Sequence, residues 1–348
     1  MNIFFLDFRD PLFSIIVFFA LIFIITFFSY WWGRYKRKED YRHLNKFLKQ
    51  FHSLPAEDAL KDLISQDELS QKSWMLLASS YFQSGNYNKC IEIYQQILHA
   101  PSSQNQKEIM YLLGKTYFKA GFLERSKDIF LEILRKHPRT PQALEKLLLV
   151  YEYMRDYKAA LEVLEPLDAL KKDVSLESIY LETLRLLNNS TISIENKKEK
   201  ILKIYKEKHQ LYYMVFEYLF RVDMQLAWKC MDLSKSDRIV DLLWNIPQSD
   251  LDFEVIERSV YLKELFTARG EGDYVSRSDV FEFDVLIKLH NTGNATLSFE
   301  YICDNCKQVY PFAFQRCSNC HSIDSIGVAY TLVKDYKKDF SEESNSFQ

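Results

Sequence analysis

The chain has 348 residues with 45 basic and 48 acidic side chains, and this near balance, a formal net charge of −3, lacks the basic excess that a nucleic-acid-binding domain carries. Only 8 glycines and 8 prolines punctuate it, too few for the frequent turns of an all-β fold. The length suits a helical array with a small appendage better than two large globules, and partners are expected to be proteins, not nucleic acids or small-molecule substrates.

In chain order, residues 1–11 are expected to form a short non-cytoplasmic N-terminus. Leu12 to Trp32, LFSIIVFFALIFIITFFSYWW, is a run of 21 residues without a charge. At about 1.5 Å per helical residue it is long enough to cross a hydrocarbon layer. Tyr30, Trp31 and Trp32 form an aromatic belt at its end, and Arg34, Lys36, Arg37 and Lys38 follow within a basic linker over 33–40. The positive-inside rule then predicts a single-pass protein with its body in the cytoplasm. A cleaved signal peptide is excluded by the position of the cations after the apolar run, by the length of that run and by the lack of a small-x-small cleavage site.

A helical array is expected over 41–270. Tyr41 to Ile64 has the spacing of a degenerate helix pair, and three clearer units cover 71–104, 107–140 and 141–174. Trp74, Leu77, Ala78, Tyr81 and Gly85 recur as Met110, Leu113, Gly114, Tyr117 and Gly121, and again as Leu144, Leu147, Leu148 and Tyr151. The three tyrosines are 36 and 34 residues apart. A period of this size resembles the tetratricopeptide repeat, which implies antiparallel helix pairs that stack because no single pair buries its own apolar face. In that repeat the first helix of each pair lines a concave groove. The implied protein-binding positions are Met75, Ser79, Phe82, Tyr111, Lys115, Phe118, Glu145, Leu149, Glu152 and Tyr153. Beyond Leu167 helical spacing persists near 176–187, 197–208, 212–221 and 255–268, with an eroded repeat signature.

Residues 271–296 are expected to connect the array to a small module, and both 280–287 and 296–302 have strand-like composition. Cys303-Asp304-Asn305-Cys306 and Cys317-Ser318-Asn319-Cys320 are two CxxC knuckles ten residues apart, within a β-rich module over 297–333 that closes with a strand at 326–333. Two residues between thiols let one tight turn aim both sulfurs at one ion, and the second knuckle completes a tetrahedron for one Zn²⁺ or one rubredoxin-type Fe. Four ligands fill that shell, which favours a structural metal over a hydrolytic one. His321 is not expected to be a ligand. Cys90 and Cys230 sit in apolar helical contexts and read as small core residues. Residues 334–348 form a charged tail of disordered composition.

No H-E-x-x-H, G-x-S-x-G or phosphate-cradling glycine loop occurs, no nucleophile pairs with a base, and the chain is not expected to be an enzyme. The fold expected is mainly α: an N-terminal transmembrane helix, a tetratricopeptide-repeat α-solenoid and a small β-rich metal module. That order of parts, with the segment FEYICDNCKQVYPFAFQRCSNCHSIDSI, resembles the lipopolysaccharide assembly protein B family along most of the chain. The resemblance implies an inner-membrane adaptor that regulates lipopolysaccharide biosynthesis by coupling a client enzyme, LpxC-like, to the membrane protease FtsH. It also implies that Cys303, Cys306, Cys317 and Cys320 are the metal ligands of a rubredoxin-type module packed against the repeats. The missing knuckle glycines and the eroded later repeats depart from that pattern. A general envelope-assembly scaffold without a proteolytic role, and an electron-transfer rubredoxin fused to a scaffold, are the alternatives.

Overall fold

The computed structural model describes residue 18 and residues 21–28, 71–99, 105–289 and 295–334. Residues 21–28, inside the predicted membrane segment, are helical, and Phe23 is 70% exposed. Among the described residues no helix is long and apolar enough to cross a membrane. The remainder of 12–32, the N-terminal 1–11, the basic linker 33–40, the degenerate pair 41–64 and the tail beyond 334 lie outside the described residues. The chain divides into two compact units, Met1–Asp156 and Tyr157–Gln348.

The first unit is built from helix pairs. Helices α1 (Gln71–Gln83) and α2 (Tyr87–His99) are followed by α3 (Gln106–Lys119), α4 (Leu123–Lys136) and α5 (Pro141–Tyr153). Each buries one stripe at helical spacing: Trp74, Leu77, Ala78 and Tyr81 on α1, then Cys90, Ile93, Tyr94 and Ile97 on α2. Together with Ile109, Leu113 and Tyr117 of α3 these side chains form one core. At Gly114 α3 and α4 approach closely. A methyl group there would stand 2.9 Å from the ring of Phe130, and the Gly114 carbonyl accepts a hydrogen bond from Ser126 Oγ at 2.9 Å.

The first helix of each pair ends in the same turn. Asn86 N donates to Tyr81 O, Phe122 N to Tyr117 O and Asp156 N to Tyr151 O, each at 2.9 Å. These are the six-to-one bonds of a Schellman cap, which needs one left-handed residue. Gly85 (φ 77°) and Gly121 (φ 83°) supply it, and in the third pair Arg155 (φ 60°) adopts it without a glycine. The repeat thus keeps its turn geometry after losing its turn residue.

The second unit contains α6 (Tyr157–Ala169), α7 (Ser175–Asn188), α8 (Ile194–Lys208), α9 (Tyr212–Val222), α10 (Met224–Cys230), α11 (Val240–Trp244), α12 (Phe253–Glu257), α13 (Val260–Arg269) and α14 (Phe281–Leu289). A 3-10 segment over Leu233–Ile239 joins α10 to α11. The helical spacing at 255–268 divides into α12 and α13, because Ser259 Oγ accepts from Leu262 N and starts a new helix. Residues 280–287, strand-like in composition, are a correction: from Phe281 onward they belong to helix α14. There Phe283 and Leu286 are buried three residues apart on one helical face. Phe283 stacks on Tyr330 at 5.4 Å, and Asp284 pairs with Lys288 one turn on. Burial of one helical stripe outweighs β propensity here.

Strands β1 (Ala295–Cys303), β2 (Val309–Tyr310) and β3 (Ile326–Lys334) form an antiparallel sheet in the order β2-β1-β3. The long pairing runs from Ala295 opposite Lys334 to Cys303 opposite Ile326. That register places Cys303 at the strand end from which the knuckle departs. The described chain is therefore mainly helical with a small C-terminal sheet.

Gly114→Ala is expected to lower stability by about 1–3 kcal/mol, because Phe130 is fully buried and cannot swing aside. A thermal midpoint equal to the wild type in circular dichroism would show that the two helices can separate without cost.

Candidate metal centre and repeat groove

The four cysteines occupy two turns of one design. In the first, Lys307 N donates to Cys303 O at 2.8 Å and Cys303 N to Gln308 O at 3.0 Å. In the second, His321 N donates to Cys317 O and Cys317 N to Ser322 O, both at 2.9 Å. Each turn is closed by a left-handed residue, Lys307 (φ 59°) and His321 (φ 62°), where glycine would carry no strain. The hydrogen-bond rings hold both residues there.

All four sulfurs lie within 4.8 Å of one another, and Cys303–Cys320 and Cys306–Cys317 are each 3.6 Å apart. Metal–sulfur bonds of about 2.3 Å in a tetrahedron require sulfurs about 3.8 Å apart, so the cluster can hold one metal ion. Cys303 and Cys317 are fully buried and Cys306 and Cys320 half-buried. Burial opposes ionisation of Cys303, yet the nearby Ser322 and Ser325 hydroxyls and the backbone N–H groups of Cys306 and Asn305 pull its thiol down to about 5. Ser322 in the same way favours the Cys320 thiolate. This donor set suits a soft or borderline cation such as Zn²⁺ or Fe. His321 stands outside the cluster.

The module is fastened to the helices of its own unit by contacts of unequal weight. Asp241, at 3% exposure, accepts hydrogen bonds at Oδ2 from Tyr213 of α9 at 2.6 Å and from Tyr301 of β1 at 2.9 Å. Asp324 Oδ2 accepts from Leu211 N at 2.9 Å, ahead of α9. Arg316, between the knuckles, lies 4.9 Å over the ring of Tyr180 on α7 and donates to His321 O. Arg238 and Asp304 approach to 3.6 Å at the surface. A hydrogen bond in a buried site contributes about 0.5–1.5 kcal/mol and leaving its polar group unpaired costs about 1–3, whereas an exposed ion pair contributes about 0–1. The two aspartates therefore dominate the joint. The sequence had no visible signal for them, since their partners lie tens of residues away.

In the first unit, α1, α3 and α5 carry the expected groove positions. Lys115 Nζ sits 5.3 Å over the ring of Phe82, and the Phe118 and Tyr153 rings meet edge-on at 5.1 Å. Tyr111 packs at 5.9 Å from Phe130. Ser79, Glu145 and Tyr153 are exposed, and Met75, Phe82, Tyr111, Lys115 and Glu152 half-buried. Phe118 and Leu149 are buried at 9% and 4% exposure, so they fill the space between helices and leave the open face to their neighbours. Lys146, not among the expected positions, is held below the ordinary lysine value by burial and then by Lys115 and Lys119, which places three ammonium groups on this face. Lys119 was legible one helical turn after Lys115.

A model of the tetratricopeptide repeat matches residues 71–99. Lipopolysaccharide assembly protein B of Escherichia coli K12 is 25% identical over 132 residues, covering 36% of this chain and 34% of that protein. The protein of the same name from Haemophilus influenzae is 21% identical over 188 residues, covering 47% of this chain and 48% of its own length. The chain thus matches between a third and a half of the length of these curated relatives. Among solved structures, a tetratricopeptide repeat protein from Parabacteroides merdae is 16% identical and covers 72% of this chain and 97% of its own, with a TM-score of 0.39. Residues 71–99 thus match the tetratricopeptide repeat, and the chain is similar to lipopolysaccharide assembly protein B over part of its length.

Cys317→Ser is expected to abolish stable metal binding and to release the helices joined to the module, because structural zinc sites contribute about 10–16 kcal/mol to folding. Hydrogen exchange should then rise in α7, α9 and α14; full metal content with unchanged exchange would refute the coupling. Asp241 offers a pH test. Burial raises its carboxyl above the unfolded value, against the pull of Tyr213 and Tyr301. Its contribution to stability is then complete below the unfolded carboxyl range and lost as pH rises through the raised value. With metal saturating, the wild type should lose ground to Asp241→Asn in urea midpoint as pH rises from the ordinary carboxyl range through the raised value. A difference that does not vary with pH would contradict the raised value.

Proposed function

Starting from its relationship to lipopolysaccharide assembly protein B, we propose that this chain is a non-enzymatic adaptor of the bacterial inner membrane that regulates lipopolysaccharide biosynthesis. The observation that carries the proposal is that named sequence relationship, joined in one chain to helix-pair repeats and to a four-cysteine cluster able to hold a metal. The adaptor tethers itself through residues 12–32 and keeps its body in the cytoplasm. Its repeats hold a client enzyme of envelope synthesis, LpxC-like, and deliver it to a membrane protease of the FtsH type.

Such a role needs no reaction chemistry. Confinement to the membrane surface raises the effective concentration of whatever the repeats bind near a membrane-embedded protease. The face of α1, α3 and α5 is suited to hold a partner, since it combines the ring of Phe82 under Lys115 with the exposed ring of Tyr153. Aromatic rings and cations of this kind commonly anchor protein interfaces. Cys303, Cys306, Cys317 and Cys320 hold one Zn²⁺ or Fe ion with no coordination place left for water, so the metal's part is to order the module.

Depletion of the protein is expected to lengthen the half-life of the client enzyme several-fold, and the double variant Lys115→Glu, Tyr153→Ala to do the same while remaining folded. Crosslinking in intact membranes should capture the protease and the client together. A client half-life unaffected by depletion would overturn the proteolytic role and leave a scaffold.

A further inference from the structure

Three side-chain hydroxyls surround the sulfur cluster. Ser322 Oγ lies 3.0 Å from Cys320 Sγ and 3.4 Å from Cys303 Sγ, and Ser325 Oγ lies 3.4 Å from Cys303 Sγ. The two serine oxygens are 2.7 Å apart. Tyr310 Oη stands 3.2 Å from Cys317 Sγ, and Asn305 Nδ2 donates to Cys320 Sγ at 3.4 Å. A thiolate bound to metal has no hydrogen to give, so in every hydroxyl–sulfur contact the oxygen must be the donor.

Proton counting then restricts the serine pair. Each hydroxyl donates once, and two oxygens 2.7 Å apart must share one of the two hydrogens. The remaining hydrogen is left for a sulfur. Of the sulfur contacts the 3.0 Å one from Ser322 to Cys320 is shortest, which orders the pair as a relay: Ser325 donates to Ser322, and Ser322 donates to Cys320. Donors in series polarise one another, so the terminal bond is strengthened. Ser325 is fixed from the opposite knuckle, because it is buried and its carbonyl accepts from Asp304 N at 2.7 Å.

Four thiolates on one divalent cation leave two surplus negative charges, and two of the sulfurs are fully buried, where solvent cannot offset that charge. We infer that the Ser325–Ser322 relay and the Tyr310 hydroxyl set how tightly the tetrathiolate retains its metal, with Ser322 the dominant positioning residue. In this order the sulfurs that receive a hydroxyl hydrogen, Cys317 and Cys320, belong to the second knuckle, and Cys303 of the first has the two serine oxygens 3.4 Å away. Ser322 and Ser325 extend the metal-binding pattern beyond the two CxxC motifs.

The inference rests on the cysteines being metal ligands, and the test separates the two. The full-length chain in detergent is loaded with zinc and equilibrated against a chromophoric zinc chelator. Cobalt-substituted protein is scanned for its sulfur-to-metal charge-transfer band. If the wild type retains neither metal, the metal site itself fails. If it does, Ser322→Ala should weaken retention by about 10–100-fold, the usual cost of removing an outer-shell partner. Ser325→Ala should weaken it less, because Ser322 still reaches Cys320, and Ser322→Thr should restore it. The cobalt band should shift in Ser322→Ala and in Tyr310→Phe, since each loses a donor that draws electron density from sulfur. Wild-type retention, or weakened retention with an unmoved band, would overturn the inference. Should Ser322→Ala fail to fold, Tyr310→Phe decides by the same two readouts, because it deletes only an oxygen.

Discussion

Four sulfurs gathered within 4.8 Å are the constraint on which the second unit depends. Ionised together they repel strongly, and protonated together they cannot share one tight space without loss. A cation would remove the conflict and stabilise the two knuckle turns, the strands that end in them and the hydroxyls around them as a group. The module is too small to supply a core of its own size. Its strained residues Lys307 and His321 are held by the hydrogen-bond rings, a task that a bound metal would share.

That order is passed on to the helices. Asp241 joins β1 to α9 by accepting from tyrosines on both, and Asp324 caps the approach to α9 through Leu211 N. The Phe283 ring of α14 lies flat on Tyr330 of β3. Helices that pack on strands and knuckles have no reason to keep the residue pattern of helices that pack on another pair. The repeat signature fades after Leu167 for this physical reason: the module supplies part of the buried partner surface.

The repeats of the first unit follow a different rule. Their register is set by a left-handed turn after each first helix and by the close approach of α3 to α4 at Gly114. Both features make the next pair fall in place, and they leave the surfaces of α1, α3 and α5 side by side with Lys115, Lys119, Lys146, Phe82 and Tyr153 among their residues. A face made this way is a by-product of stacking, which frees its side chains to be selected for a partner.

Sequence alone determined what depends on short-range spacing. The helix pairs were legible because Tyr81, Tyr117 and Tyr151 return to the same place in the first helix of each pair, where each carbonyl accepts the capping bond, and the cysteine cluster because two thiols three residues apart converge in one tight turn. Strand-like composition misled at 280–287, where burial of Phe283 and Leu286 on one face made a helix, and helical spacing did not reveal that Ser259 restarts the chain between α12 and α13. What only the tertiary structure decided is which distant polar groups meet: Asp241 between Tyr213 and Tyr301, Asp324 under Leu211, Arg316 over Tyr180, and the serine relay beside Cys320. Their partners are chosen by three-dimensional packing, and no periodicity in a linear chain records a hydrogen bond that spans 28, 60 or 113 residues.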